Sequence, residues 1–140
     1  MSWVIAATRD IAACRALRRV VFIEEQGVSA ADEIDDLDDV AVHLLASVGP
    51  RPVGSARLVR AGDIVKVGRV CVLADQRGRG LGAALMRASV DCARGIPGVG
   101  GVKLGAQTHA VGFYERLGFV VDGPAFLDAG IPHREMGMTL

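Results

Sequence analysis

Gly78, Gly80 and Gly82 stand at alternate positions between an apolar run and an amphipathic one, in Val70-Cys71-Val72-Leu73-Ala74-Asp75-Gln76-Arg77-Gly78-Arg79-Gly80-Leu81-Gly82-Ala83. The pattern predicts a strand, a turn and a helix. The first amides of a helix have no partner within it and point outward with the positive end of its dipole. Bare glycine backbone lets an anion approach them, and a pyrophosphate suits the arrangement. Arg77 and Arg79 add charge-assisted donors. Glycine turns without ligands are common, but the flanking elements and the two arginines favour a phosphate site. A P-loop is excluded because GxxxxGK[ST] is absent. Gly78-x-Gly80-x-x-Ala83 formally fits a dinucleotide fingerprint, yet it lies in mid-chain after an apparent hairpin. The stretch from Pro97 to Lys103 has no acid for a ribose, which counts against a nucleotide-dependent oxidoreductase.

Other elements must hold this turn in place. Trp3 to Ala7 reads as a strand. Thr8 or Asp10 can cap a helix that carries Ile11, Cys14, Leu17 and Val21 on one face. Glu24 to Asp39 reads as a loop with room for a helical turn. Val42 to Val48 and Val53 to Arg60 form a hairpin about Gly49-Pro50-Arg51-Pro52. Ile64 to Leu73 is apolar enough for a central buried strand. The helix after the glycines presents Leu81, Leu85, Ala88 and Cys92, and stops at Gly95-Ile96-Pro97-Gly98. Val99 to Ala106 is a strand, and His109 to Leu117 is a short helix ended by Gly118. Phe119 to Val121, roughly Ala125 to Leu127, and Glu135 to Leu140 complete the sheet. Short turns between neighbouring strands predict a mixed, mostly antiparallel sheet flanked by helices, in one α/β domain over residues 1–140.

Composition narrows the function. The 140 residues suit one compact domain, and a hydrophobic content of 51% argues against disorder. Sixteen basic and sixteen acidic residues cancel, so no global field favours nucleic acid or a membrane surface. Eight acids crowd one stretch: Glu24, Glu25, Asp32, Glu33, Asp35, Asp36, Asp38 and Asp39. Asp32 to Asp39 are expected mostly as solvated surface, and the spacing rules out an EF-hand. Cys14, Cys71 and Cys92 contain no CxxC pattern, so neither a disulfide framework nor a metal site is expected. The beginning Met-Ser-Trp is not the start of a signal peptide, and no apolar stretch reaches membrane-spanning length. A cytoplasmic protein is the expectation.

Arg77-Gly78-Arg79-Gly80-Leu81-Gly82 resembles the [QR]-x-x-G-x-[GA] motif of the GNAT acetyltransferases. Ala110-Val111-Gly112-Phe113-Tyr114-Glu115-Arg116-Leu117-Gly118-Phe119 resembles their A-x-x-x-Y-x-x-x-G-F helix. The pair in this order is far more specific than either motif alone. The likeness is closest to the ElaA/YjcF-like subgroup, through Arg18, Val21-Phe22, Glu25-Gln26, the aspartate-rich loop, His43, Gly68-Arg69-Val70, Leu104-Gly105-Ala106-Gln107 and Gly130-Ile131-Pro132-His133. It spans nearly the whole chain.

The resemblance implies a GNAT fold in which the Val70–Leu73 strand splays from the Val99–Ala106 strand. Acetyl-CoA would lie in the gap, its pantetheine along Val70, Cys71 and Val72 and its pyrophosphate on the amides from Arg77 to Ala83. Phe113 and Tyr114 would flank the thioester. The implied reaction is direct acetyl transfer to a primary amine of a small molecule or peptide. Tyr114, the only tyrosine, looks like the family's acid; the plainer reading is a packed helix tyrosine. Where some members carry a glutamate on the central strand, this chain has Lys66. His133, His43 and Glu25 remain as candidate bases, with a water chain as a further route. Gln107 stands where many members have asparagine, and His109 either caps a helix or touches the coenzyme. Arg69, unusual in an apolar strand, either pairs with an acid from the Glu24–Asp39 region or faces the acceptor, and Glu25 is a second acceptor contact. A ping-pong route through Cys71 is disfavoured, since no base adjoins it in sequence. The rival reading is a non-catalytic acyl-CoA-binding module. A homodimer through the C-terminal strands is also compatible.

Overall fold

Asp10 accepts a hydrogen bond from the Ala13 amide at 3.1 Å and so caps α1 (Ile11–Arg18). In the computed structural model, which describes residues 2–140, the chain does not leave the helix after Arg18. It continues through wider π-helical turns over Arg19–Glu25, with the Gln26 amide donating to Val21 O at 3.2 Å. Such turns insert extra residues into a helix and recur at functional sites. Here they bring Phe22 and Gln26 to the edge of the main cleft. Ser29 then caps the single turn α2 (Ala30–Glu33).

The strands β1 (Val4–Thr8), β2 (Val42–Val48), β3 (Arg51–Ala61), β4 (Ile64–Val72), β5 (Gly101–Gln107), β6 (Val120–Asp128) and β7 (Ile131–Thr139) form one sheet in the order β1-β2-β3-β4-β5-β7-β6. Every neighbouring pair is antiparallel except β4 and β5. The segments expected at Phe119–Val121 and Ala125–Leu127 join into the single strand β6, with an irregularity between Val121 and Ala125. The last strand starts earlier than expected, at Ile131.

α3 (Leu81–Arg94) covers one face of the sheet and buries Leu81, Leu85, Met86, Ser89, Val90 and Ala93. Ala88 and Cys92, expected on that stripe, sit half-buried at its margins. The buried arc is wider than an i, i+4 stripe because the helix lies over several strands. α1 packs on the opposite face, where Leu17 and Val21 meet Cys71. α4 (Val111–Arg116) follows a 3-10 turn over Thr108–Ala110, shorter than the helix expected from His109 to Leu117.

Two departures from regularity in β4 shape the molecule. β4 and β5 pair only at Ile64, Val65 and Lys66, opposite Gly101, Val102 and Lys103, and then separate. Arg69 also forms a bulge: Ser55 pairs with Cys71 and Arg57 with Gly68, leaving β4 one residue long, and Arg69 takes φ +52°. One extra residue exchanges the faces of the strand. Val65 and Val67 face the core under α3 before the bulge; Val70 and Val72 do so after it, and Cys71 turns toward α1.

Most of Asp32 to Asp39 is exposed, as expected, but two of its acids are not. Glu33 and Asp38 are only 5% and 3% exposed, and they meet Arg18, itself 1% exposed. Arg18 Nε donates to Glu33 and Arg18 Nη1 to Asp38 Oδ1 at 2.8 Å. Buried acids require such partners, and these arginines come from α1, β3 and β4.

Candidate active site

The site begins where β4 runs into the glycine turn. Leu73 donates to Val53 O at 2.9 Å, so the neighbouring backbone groups of Val72 turn to the opposite edge, toward β5. Those of Val70 do the same. β5 has left by this point, and the gap exposes a strand edge. Cys71 behaves differently: its backbone faces β3, and its thiol lies 3.3 Å from Ser55 Oγ. Burial pushes that thiol's pKa up, which keeps it protonated.

A 3-10 turn, Ala74–Gln76, leads to Gly78 and Gly80 at φ +76° and +86°. Gly80 is the N-cap of α3 in the left-handed region, where side-chain-bearing residues are strained. No side chain caps the helix, so the Leu81, Gly82 and Ala83 amides remain open at its positive end. The donor set therefore fits a pyrophosphate. Arg77 borders it: its Nε donates to Val72 O at 2.9 Å and its Nη2 to Glu25 Oε1. Glu25, a candidate base and acceptor contact, is thereby engaged beside the glycine turn and is not part of the cleft lining. Phe113 lies against the same turn, its Cζ 3.6 Å from where a Cβ on Gly82 would stand.

The gap opens into a cavity of about 550 Å³ bounded by the π-helical segment, β4, β5, α4 and the β6–β7 hairpin. Tyr114, Lys66, Arg69, Gln107 and His133 all line it. Tyr114 stacks edge-on with Phe113 at 5.0 Å and Phe119 at 6.1 Å. Burial raises the pKa of its phenol, which stays protonated. His133 Nδ1 donates to Ile131 O at 2.6 Å, and the ring stacks on Phe126 at 5.5 Å. That bond leaves Nε2 as the free basic nitrogen. Gln107 Nε2 donates to Gln26 Oε1 at 3.0 Å, bridging β5 and the π-helical segment.

His43 lies elsewhere. It is 3% exposed, and its Nε2 bonds Asp38 O at 2.9 Å beneath the acidic segment. Arg69 lies between the acidic segment and the cleft, 3.4 Å from Asp35 Oδ2. Its Nη2 donates to Glu33 O at 3.1 Å, and its side chain also lines the cleft. Arg57 was missed by sequence reasoning. Its guanidinium clasps Asp35 at 2.7 and 2.9 Å and reaches Asp38 at 3.2 Å. The available signal was an arginine inside an otherwise buried strand.

A strand edge freed by a splay, an uncapped helix start and a tyrosine meet at this gap. The model of the GNAT acetyltransferase domain matches residues 21–140, and the chain belongs to that family. An uncharacterized N-acetyltransferase of Bacillus subtilis, YjcF, is 40% identical over 121 residues, covering 86% of each chain. The crystal structure of an acyl-CoA N-acyltransferase from Pseudomonas aeruginosa superposes with a TM-score of 0.86 at 32% identity, covering 97% of both chains. Escherichia coli ElaA superposes at 0.82 with 28% identity and the same coverage.

Proposed function

We propose that the protein transfers the acetyl group of acetyl-CoA to a primary amine by direct attack in a ternary complex. The observation that carries this reading is the parting of β4 from β5 after Lys66, beside the uncapped start of α3. In this reading Val70 and Val72 offer backbone to the pantetheine amides, as a sheet edge does to an added strand. The amides from Arg77 to Ala83, with Arg79, hold the pyrophosphate. Phe113 packs beside it, and a backbone amide near Val72 polarises the thioester carbonyl.

The amine nitrogen forms a bond to the acetyl carbonyl carbon, and the carbon–sulfur bond breaks. The amine gives its proton to His133 Nε2, directly or through water. The departing sulfur takes the phenolic proton of Tyr114. The products are the acetylated amine and coenzyme A with a free thiol; His133 and Tyr114 regain their starting states by exchange with solvent. His133 is favoured as base over His43 and Glu25 because it lines the cleft with one nitrogen free, while the other two are bonded outside it. Gln107 and Arg69 face the acceptor.

The test is thiol release from acetyl-CoA with a panel of primary amines, repeated with Tyr114→Phe. Removing a general acid should lower kcat by about 10²-fold or more, with acetyl-CoA affinity unchanged. Full turnover in Tyr114→Phe would contradict the assignment.

A further inference from the structure

Seven charged side chains converge where the acidic segment crosses β3 and β4. Arg15, Arg18, Arg57 and Arg69 meet Glu33, Asp35 and Asp38, four guanidinium groups against three carboxylates. The carboxylates are unevenly shared. Glu33 accepts from Arg18 Nε. Asp38 accepts from Arg15 at 2.9 Å, Arg18 at 2.8 Å and Arg57 at 3.2 Å. Asp35 holds Arg57 in a two-pronged pair.

Arg69 is left with the remainder. Its Nη2 reaches Asp35 Oδ2 only at 3.4 Å, and its Nε lies 3.8 Å from Glu33 Oε1, buried with no acceptor. Burial, with Arg57 and Arg18 nearby, lowers its pKa, although Asp35 and Glu33 oppose the shift. The surplus positive charge of the cluster thus falls on the one arginine that lines the cleft. The same residue holds a left-handed backbone at φ +52°, a conformation costly without glycine and often kept at functional sites. Lys66 lines the same cleft and has no ion-pair partner among the described residues. Asp32 and Asp128 lie on its exposed rim.

We propose that Arg69 and Lys66 form a carboxylate subsite in the acceptor half of the cleft, so that the acceptor is an amine that also carries a carboxylate, as an α-amino acid does. The naming of the acceptor rests on the acetyl-transfer reading; the subsite does not. An incoming carboxylate supplies the fourth acid that the cluster lacks, in a partly desolvated place where charge-assisted hydrogen bonds are strong. A single surplus charge suits a monoanion. Asp32 and Asp128 lie where an ammonium group approaches, so the two signs of the cleft match a zwitterion.

The experiment titrates the full chain with N-acetylleucine and with N-acetylleucinamide, which differ only in the carboxylate. Affinity is read by calorimetry, and the Arg69 Nε–H signal is followed by nuclear magnetic resonance. The acid should bind at least about tenfold more tightly than the amide and shift that signal. Arg69→Gln should reduce the ratio to below about threefold, and so should Lys66→Gln, an exposed position whose replacement leaves the core intact. Equal affinity for acid and amide, or an unchanged ratio in Lys66→Gln, would overturn the subsite. Parallel thiol-release assays with leucine and leucinamide separate the two claims. Preference for the acid in binding, with no transfer to any amine, would sustain the subsite and remove the acetyl-transfer reading. Equal transfer to leucine and leucinamide, with no binding preference, would do the reverse.

Discussion

His133 and His43 are both buried, and their hydrogen bonds differ. His133 keeps one nitrogen toward the cleft while Ile131 O and the Phe126 ring fix its plane. His43 spends its Nε2 on Asp38 O and does not line the cleft. His133→Gln should therefore slow turnover by about 10²-fold while leaving the melting temperature nearly unchanged. His43→Gln should do the opposite, lowering thermal stability with kcat retained. Steady-state assays and thermal unfolding of both variants check this, and an active His133→Gln enzyme would reassign the base to water. Gly105 tightens the arrangement: a Cβ there would stand 2.9 Å from Phe126 Cζ, so the ring passes directly over bare backbone on β5. Neither role could be read from the histidines' neighbours in sequence, because both depend on partners brought in by strand register.

At the scale of elements, the acidic segment is a strap tied down by ion pairs. Burial works against ionisation of Asp38, but hydrogen bonds from Arg18 and Arg15 outweigh it and hold the carboxyl far below the usual carboxylate range. Asp35 is also lowered, chiefly by Arg57. A lowered folded-state pKa gives stability that is complete above the unfolded value of about 4 and is lost as pH falls through that value toward the folded one. Stability should thus decline steeply below about pH 4. Asp38→Asn should cost up to about 3 kcal/mol at neutral pH, because it removes one of the two carboxylates that hold Arg18, and should flatten the acid decline. Denaturant unfolding across pH measures both effects. An unchanged acid limb in Asp38→Asn would place the pH sensitivity elsewhere.

The strap also explains what was hidden in the sequence. Asp32 to Asp39 look like a solvated charge run until their partners are known, and the relevant pairs span 15 to 36 residues. The bulge at Arg69 left only a faint mark, the adjacent pair Gly68-Arg69 interrupting the alternation that Val65-Lys66-Val67 begins. Local signals were readable where their physics is local. Asp10 as a cap, the Gly49-Pro50 turn and the left-handed glycines before α3 all follow from short-range backbone chemistry.

For the whole molecule, the sheet's pairing carries register shifts in three of its hairpins and parts between β4 and β5. The hairpin of β2 and β3 was legible from its turn, but the full order of strands was not. Nor was the splay; it came from the resemblance carried by the two motifs. Among the described residues no helix is long and apolar enough to cross a membrane. The account depends on the opening being a coenzyme site, so the deciding measurement is calorimetric titration with acetyl-CoA, with coenzyme A and NADH alongside. The account predicts one-to-one binding of both coenzyme A compounds and none of NADH, with affinity weakened by Gly80→Val, which strains the cap of α3 at φ +86°. Failure of either coenzyme A compound to bind would contradict it, and the roles given to Tyr114 and His133 would fall with the site.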